Sequence, residues 1–600
     1  MMVKTDMTAK EIINDFKENY AKVRKLLDED ALNDPDNEPY LSKYKAKDIL
    51  IKMYEDLIIT KNSNADLDGV KIDAMLGIIL LNIGIIDMET DDGPACEKAL
   101  TEAEALLLPH SSKPEVIATL IKIENQLGLL WSNRDVSEKV KTHLFKAKEF
   151  YETFKSTMQM PVPIEHSHAS EDVTGDIMLL EEPYTLTLYY LAQVYASLKE
   201  ELKSSIYFHV TLRRQLQYNV YDPIDWSLNS ATLSQYFAER HGFFQSRYHL
   251  AAASTILDQY ETKLLADETN DEVMLSKKEQ FNHRSADVAR CWVKYCINLM
   301  RASKTRLMDG PENLNGAITD LSDLELEDNE NICGGDVRNL VFPDLDVSKY
   351  EKKISDKFLL TYQDAREVFL NCQDWLNKAK EYYTSDTLAS DYIQLVQDTS
   401  EAYSLLTFFE EDDERQAKMH KRRIDIIEKL LIIVNPTYYL HYCQQLWYEL
   451  GTAYTQILDI KLDKVKNGAS KITPHLLKKI NMLCEKSIEN YELFIDSFKE
   501  NGVLPTHLEE DQLRGVICAY GFVAQNSRKR IALDKPTQLI HAKKSLASHL
   551  AVVDICMKDS NIAKILSVEY SLCQEMAKML PTKIKRLERD LAAQSSTQTS

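Results

Sequence analysis

Two histidines form the pattern in this chain that most resembles a pair of metal ligands. His166 and His168 are separated by one residue, and imidazole nitrogens are common ligands of zinc. The pair lies in a Pro-rich polar insert, without a nearby Cys or Asp to complete a coordination sphere. Cys291 and Cys296 are five residues apart in ARCWVKYC, so on a helix they do not share a face and cannot chelate one ion. We therefore predict no metal site and no cofactor.

A run of charges also invites a chemical interpretation. EEDDE at 410–414 is followed by KMHKRR at 418–423, which is typical of a polar hairpin turn followed by the solvated or interhelical face of a helix. The sequence contains no G-x-S-x-G, no H-E-x-x-H and no phosphate-binding P-loop. We predict a protein that is not an enzyme. An all-α enzyme with acidic groups in a concave site remains a competing hypothesis.

Polar residues at repeated helical positions are better candidates for function. Gln193 and Gln235 each follow a small residue, and Tyr190 and Thr232 each lie three residues before the glutamine. Residues three apart share one side of a helix, so two helices would repeat an aromatic or hydroxyl group beside a glutamine. This pattern predicts a partner-binding surface that works by hydrogen bonds. Ordinary surface glutamines would give the same spacing.

The helices that carry these residues follow a repeated spacing. Each copy starts at a small anchor residue, and the residue three positions later is usually aromatic. Further positions that would lie between the two helices follow at +12, +16 and +19 from the anchor. This spacing suits two antiparallel helices of a tetratricopeptide type. The anchors at 84, 128, 192 and 234 are 44, 64 and 42 residues apart, against about 34 in the regular repeat. A generic helical bundle is the alternative. The four copies are Gly84, Asp87, Cys96, Leu100, Ala103; Gly128, Trp131, Val140, Leu144, Ala147; Ala192, Tyr195, Ser204, Phe208, Thr211; and Ser234, Phe237, Ser246, Leu250, Ala253.

Composition favours an all-α fold of large extent. Gly and Pro number 16 each in 600 residues, well below the average usage of about 7% and 5%, whereas antiparallel sheets need frequent turn residues. The chain exceeds what one compact core serves. We predict a tetratricopeptide-like α-solenoid of antiparallel helix pairs, in two sub-solenoids at 1–302 and 358–592. An acidic flexible linker at 303–357 would join them, and 593–600 would form a disordered tail.

Charge and cysteine usage limit the partners and the compartment. The net charge of −22 repels nucleic acid and anionic lipid and attracts basic protein surfaces. Ten scattered cysteines without a C-x-x-C indicate reduced thiols in a cytosolic protein. The N-terminus lacks a signal-peptide core, and the longest apolar run, 76–86, is interrupted by Asn82 and too short to span a bilayer. We expect a cytoplasmic protein without membrane insertion.

Several segments resemble the kinesin-family-binding protein family, in that family's order and over nearly the full chain. The insert at 155–183 and the acidic linker show no such match. The matching segments are LTLYYLAQVY…TLRRQLQYNVYDPIDWSLNSATLSQYF, NQLGLLWS, ARCWVKYCINLM, DAREVFL, FFEEDDERQAKMHKRRI, LKKIN and MLPTK.

The resemblance implies a cytoplasmic, cytoskeleton-associated α-solenoid, not an enzyme, that binds kinesin motor domains. It implies that the protein blocks motor attachment to microtubules, and so regulates axonal transport and neuronal development. The family's motor-contacting positions map onto five residues, of which Gln215 is indicated by the resemblance alone. They are Tyr190, Gln193, Gln215, Thr232 and Gln235.

A chaperone or cargo adaptor is the alternative among binding proteins. Repeat proteins that hold an acidic chaperone tail need basic and Asn side chains on neighbouring first helices. The corresponding positions here are not basic, so we predict no binding of such tails; an acidic chain would likewise be repelled by the acidic microtubule itself. Which kinesins bind, and the oligomeric state, are not indicated by the sequence. The positions concerned are Asn125, Gln126, Tyr189, Tyr190, Ala231 and Thr232.

Overall fold

The computed structural model describes most of the chain as packed α-helices. The described residues are 9–63, 69–162, 176–266, 272–309, 340–468, 473–505 and 508–598. They form 21 α-helices and two short 3₁₀ helices, with a single isolated β-bridge between Glu500 and Val503 and no strand. The predicted all-α class is confirmed. His166 and His168 lie outside the described residues.

The helices group into two compact units by their packing. Among the described residues, the first unit holds everything up to Tyr236 together with 340–345, and the second holds the rest. The helices of the first unit are α1 (Ala9–Asp28), α2 (Leu41–Ser63), α3 (Gly69–Glu89), α4 (Gly93–Leu107), α5 (Ile117–Asn133), α6 (Ser137–Ser156), α7 (Met178–Ser197), α8 (Glu201–Tyr218) and most of α9 (Pro223–Glu239), with 3₁₀ turns at Asp30–Asn33 and Leu108–His110.

Consecutive helices of this unit pack against each other across short turns, which makes antiparallel pairs of α3 with α4, α5 with α6, and α7 with α8. The glycine anchors lie at the closest approach. A Cβ added at Gly84 would lie 2.7 Å from Leu100 Cδ2, and one at Gly128 would lie 3.0 Å from Leu144 Cδ2. These are the predicted +16 partners, so the spacing is confirmed for both copies.

The turns explain why the spacing is constant. Seven residues after each anchor the chain adopts a positive φ, and the N–H eight residues after the anchor donates to the carbonyl three residues after it, at 2.8 to 3.1 Å. This is the Schellman arrangement that ends a helix. None of the four left-handed residues is glycine, so the sequence carries no signal that the chain becomes left-handed there. They are Asp91, Asp135, Lys199 and His241.

The second unit is also built of packed helices, and several of them are longer. Gly451 packs on Tyr491, where an added Cβ would meet the ring at 2.9 Å. The helices are the end of α9, α10 (Phe243–Ala266), α11 (Glu272–Asp309), α12 (Ser348–Glu351), α13 (Tyr362–Tyr382), α14 (Ala389–Phe409), α15 (Asp413–Ile433), α16 (Pro436–Lys466), α17 (Pro474–Asp496), α18 (Glu510–Lys529), α19 (Lys535–Lys558), α20 (Ser560–Ile565) and α21 (Ser567–Gln598).

One glycine of the second unit fits the repeat signature but does not act as an anchor. Tyr520, Gly521 and Ala524 restate the signature in the sequence, but an added Cβ at Gly521 would meet nothing within 4 Å. Ala524 of α18 is fully buried, and its carbonyl accepts a 2.9 Å hydrogen bond from Ser545 Oγ of α19. The close approach therefore lies one turn further along the helix.

The packing also places the predicted boundaries differently. Helix α11 continues to Asp309, seven residues beyond 302, and packs on α13 through the stacked rings of Trp292 and Trp375, 5.4 Å apart. Because α11 belongs with the later helices, the units divide within α9. The last helix extends to Gln598, into the predicted tail at 593–600.

The described end of the predicted linker carries buried side chains. Phe342 packs in the first unit against His209 and Trp226, at 4.8 and 5.1 Å between ring centroids. Tyr350 donates to Asp258 in the second unit. The acidic part of the predicted linker, 310–339, lies outside the described residues, so its predicted flexibility stays a prediction.

Helix α3 is long and apolar enough to cross a membrane, judged by length and composition alone. Within the structure it is a core helix, since 78% of its most apolar window is buried. Its two buried carboxylates are paired: Asp73 with Lys61 and His110, and Asp87 with Lys47.

Candidate partner-binding surface

The five predicted contact residues lie on three consecutive helices of the first unit. Tyr190 and Gln193 are on α7, Gln215 is on α8, and Thr232 and Gln235 are on α9. The structure does not gather them into one cavity. Two line a small cavity, one lines a large cavity, and the α9 pair lines neither.

The α7 pair lines a small cavity. Tyr190 and Gln193 line a cavity of about 110 Å³ whose opposite wall is the α5–α6 hairpin around Gly128 and Ser137. Gln193 is exposed and Tyr190 is half-buried. Burial, together with neighbouring Tyr189, raises the pKa of Tyr190, so its hydroxyl stays protonated and can donate. The site offers one phenol and one amide to a partner.

The α9 pair has a different environment from its counterpart on α7. Thr232 is exposed, and its Oγ1 donates to the carbonyl of Leu228 at 2.9 Å. Gln235 is half-buried, and its Nε2 donates to Ser234 Oγ at 2.9 Å. The repeated spacing is therefore present, but a partner would have to compete with these local hydrogen bonds to engage the α9 side chains.

Gln215 lines a cavity of about 560 Å³ in the first unit. Helices α5, α7 and α8 and the start of α9 form its walls. The sequence did not indicate this cavity because its lining residues come from segments spread over residues 85–229. The signal that could have found it is its set of three tyrosines, Tyr189, Tyr218 and Tyr221.

A buried carboxylate holds one wall of this cavity in place. Glu181 of α7 is fully buried and accepts hydrogen bonds from Tyr151 Oη at 2.8 Å, from Lys155 and from Arg214 of α8. Burial opposes its ionisation, but these three donors hold the pKa of Glu181 below its usual value. Arg214 also lies over the Tyr184 ring, 4.6 Å from its centroid. Helices α6, α7 and α8 are thus joined by one paired charge network.

A second polar link fixes α5 against α7. Asn125 is buried, donates to the Pro183 carbonyl at 2.9 Å and accepts from Thr187 Oγ1 at 2.8 Å. It is therefore not available to grip a ligand carboxylate. This geometry disfavours the chaperone-tail alternative at one of its required positions.

A cluster with metal-ligand chemistry lies on α4, α5 and α6. Glu104, Glu124 and His143 place their ligand-type atoms within 4.8 Å of one another. Lys146 Nζ lies 2.6 Å from Glu104 Oε1 and 3.9 Å from Glu124 Oε1, so an ammonium group already stands where a metal cation would bind. The predicted absence of a metal site stays a prediction.

The two carboxyl groups of this cluster have pKa values that are shifted in opposite directions. Burial raises the pKa of Glu124 despite its contact with His143. Burial also opposes ionisation of Glu104, but hydrogen bonds with Lys146 and Glu124 hold the pKa of Glu104 below its usual value. Glu124 therefore takes up a proton at a higher pH than Glu104 does.

Comparison with known proteins identifies the family. Residues 224–587 match the family model described as KIF-1 binding protein C terminal. The chain is 35% identical to the KIF-binding protein of Gallus gallus over 586 residues, covering 96% of this chain and 97% of that one. It is 33% identical to the KIF-binding protein of Drosophila melanogaster over 602 residues, covering 97% and 98%.

A solved structure agrees with these relatives. The cryo-EM structure of KIFBP has a TM-score of 0.63 with this chain at 28% sequence identity, and the alignment covers 96% of this chain and 100% of that one. The resemblance found in the sequence is thereby confirmed: the chain belongs to the KIF-binding protein family.

Proposed function

We propose that this protein binds kinesin motor domains in the cytoplasm and blocks their attachment to microtubules. The observation that carries the proposal is full-length similarity to relatives named KIF-binding proteins, over 96% and 97% of this chain. The match therefore includes the helices that form both cavities. Binding without catalysis is the activity proposed, and its consequence would be control of microtubule-based transport, including axonal transport and neuronal development.

Electrostatics supports a competitive mechanism. A kinesin grips tubulin, an acidic polymer, through a basic surface. A chain with net charge −22 is attracted to that surface and repelled by the microtubule. It can therefore compete for the motor without binding the microtubule itself.

The polar residues on α7, α8 and α9 supply specificity in this proposal. Gln193 and Thr232 are exposed, and Tyr190, Gln215 and Gln235 are partly exposed. Amide and hydroxyl groups recognise helix ends and loops by hydrogen bonds, and they penalise a partner that leaves them unpaired. Truncating central residues of an interface typically costs on the order of 1–3 kcal/mol each, and the effects do not simply add.

Microtubule co-sedimentation of a kinesin motor domain tests the proposal. Native protein should move the motor from the pellet to the supernatant. The variant Y190A/Q193A/T232A/Q235A should lose most of this effect, and Q215A should weaken it. Q217A is the matched control, because Gln217 is an exposed glutamine on the same helix as Gln215.

A thermal melt accompanies each variant. Truncation at the exposed positions Gln193 and Thr232 should change stability by less than about 0.5 kcal/mol, and the melt measures any larger cost at the half-buried Tyr190, Gln215 and Gln235. If native protein leaves the motor on microtubules, the proposed function is wrong. If the quadruple variant melts normally and still removes the motor, the contact surface lies elsewhere on the chain.

A further inference from the structure

The 560 Å³ cavity of the first unit combines aromatic walls with carboxylates at its margin. Tyr189, Tyr218 and Tyr221 line it, together with Glu182 and Asp225. All three tyrosines are partly buried, whereas both carboxylates are exposed. Burial raises the pKa values of Tyr218 and Tyr221, so these rings remain neutral phenols. Neutral aromatic faces and carboxylates are the two groups that attract an organic cation.

Most of the other charges in the cavity are already used. Arg214 and Glu181 form an ion pair with each other. Asp222 caps the first turn of α9 by accepting hydrogen bonds from the N–H groups of Ile224 and Asp225, at 2.8 and 2.9 Å. Glu181 is matched by two cations, Arg214 and Lys155, and Asp222 keeps its negative charge because N–H donors do not neutralise a carboxylate. Together these four groups add no net charge.

The remaining charges leave the cavity acidic. Glu182 and Asp225 have no ion-pair partner among the described residues, and exposed Lys122 is the single unpaired cation among the residues that line the cavity. Two unpaired carboxylates against one ammonium give a negative surplus. The cavity volume falls within the roughly 300–1,000 Å³ of ligand-binding clefts, which is ample for the alkyl stem and head group of one long basic side chain.

We propose that this cavity receives a lysine or arginine side chain of the bound motor domain. The inference rests on the proposed function and names the chemistry of the contact. The alkyl stem lies against the tyrosine rings, and the cationic head group is held by Glu182 and Asp225. A basic anchor of this kind fits a motor surface that binds an acidic polymer. It also fixes the position at which Tyr190 and Gln193 of α7 meet the partner.

Neutralising the two carboxylates without changing their shape tests this contact. The variant E182Q/D225N should bind a kinesin motor domain at least about tenfold more weakly, with a shallower dependence on salt, because a desolvated charge pair is lost. The control E55Q/E149Q makes the same change in net charge at two exposed sites of the first unit. Neither residue lines the 560 Å³ cavity or the 110 Å³ cavity. It should change affinity by less than about twofold, since isolated surface charges contribute little.

A lysine and arginine scan of the motor then identifies the anchor. Replacing the anchoring residue by Gln should weaken binding to native protein and have little further effect on E182Q/D225N. Such non-additivity is the signature of a direct pair. Fluorescence anisotropy with a labelled motor domain gives the affinities, and circular dichroism confirms that the variants are folded.

The outcomes separate the two proposals. If native protein does not bind the motor, the proposed function is wrong and the anchor falls with it. If native protein binds and E182Q/D225N behaves like E55Q/E149Q, only the anchor is wrong. Equal losses in both variants would show a general effect of net charge, which also overturns the anchor.

Discussion

Ser204 Oγ donates a 2.8 Å hydrogen bond to the backbone carbonyl oxygen of Ala192, twelve residues earlier on the paired helix. The second unit repeats the contact twice, from Ser487 to Gly451 and from Ser545 to Ala524, both at 2.9 Å. In each case the carbonyl belongs to the small anchor. A small side chain there leaves the carbonyl accessible, so the seam between paired helices is closed by a hydroxyl as well as by apolar contact.

Removing this hydroxyl should destabilise the α7–α8 pair. S204A is expected to lower the free energy of unfolding by about 1 kcal/mol, the usual net contribution of one buried hydrogen bond. S197A, at an exposed position of α7, is the control and should change it by less than about 0.5 kcal/mol. Urea unfolding followed by circular dichroism measures both. Equal effects would mean that the Ser204 bond contributes nothing specific.

Two glycines of the second unit should respond oppositely to alanine. At Gly451 the new methyl group would meet the buried Tyr491 ring at 2.9 Å. Overpacking of this kind typically costs about 1–3 kcal/mol. That cost equals or exceeds the roughly 1 kcal/mol by which alanine stabilises a helix relative to glycine, so G451A should lose stability. At Gly521 there is open space, so alanine should stabilise α18 by about 0.5–1 kcal/mol. Thermal melts of G451A and G521A would reveal the difference. A destabilised G521A would restore Gly521 as the anchor.

The repeat spacing could be predicted because it follows from physics that acts within one hairpin. A small residue, a turn of fixed length and a bulky partner at +16 are all visible in about twenty residues, as Gly84 with Leu100 shows. The choice between Gly521 and Ala524 could not be made in this way. Both are small residues one turn apart, and only the packing of Ser545 against Ala524 decides between them.

The candidate surface was partly predictable for the same reason. Tyr190 and Gln193 share a helix face, so their common site follows from periodicity. The large cavity brings together residues of α5, α7, α8 and α9. The spacing of residues within one helix does not indicate which other helices it will contact. The buried pairing of Glu181 with Arg214, 33 residues later, is equally invisible in the sequence. Long-range contacts of this kind define the site's shape.

The left-handed residue at the α7–α8 turn offers a stabilising substitution. Lys199 is exposed and has φ of 61°, a conformation that costs an L-residue roughly 1 kcal/mol or more and glycine nothing. K199G should therefore raise the free energy of unfolding by about 0.5–1 kcal/mol. A196G, at an exposed helical position of α7, should lower it by about as much. If both variants lose stability, the turn does not hold this conformation in solution.

His420 should make the second unit sensitive to mild acid. It is buried on α15, and its Nδ1 lies 3.0 Å from Nη1 of Arg423. The same guanidinium donates to Gln456 through Nη1 and to Glu449 through Nη2. Burial, together with the Arg423 charge, lowers the pKa of His420 to about 3, against about 6.5 in the unfolded chain. Below pH 6.5 the unfolded chain therefore binds a proton that the folded chain does not. Stability falls as the pH drops from 6.5 toward 3, by up to about 1.4 kcal/mol per pH unit.

A glutamine at this position removes the titration but keeps an acceptor for Arg423. Between pH 7.5 and pH 5, native protein should lose about 2 kcal/mol more than H420Q, the integrated effect of one buried neutral histidine. Exposed His475 provides the control, because H475Q should lose stability in parallel with native protein. Carboxylates that titrate over this range are common to all three proteins, so their contribution cancels in the comparison. Urea unfolding at several pH values measures the loss. Parallel losses in native protein and H420Q would show that His420 is protonated in the folded state, which would also place a second positive charge beside Arg423.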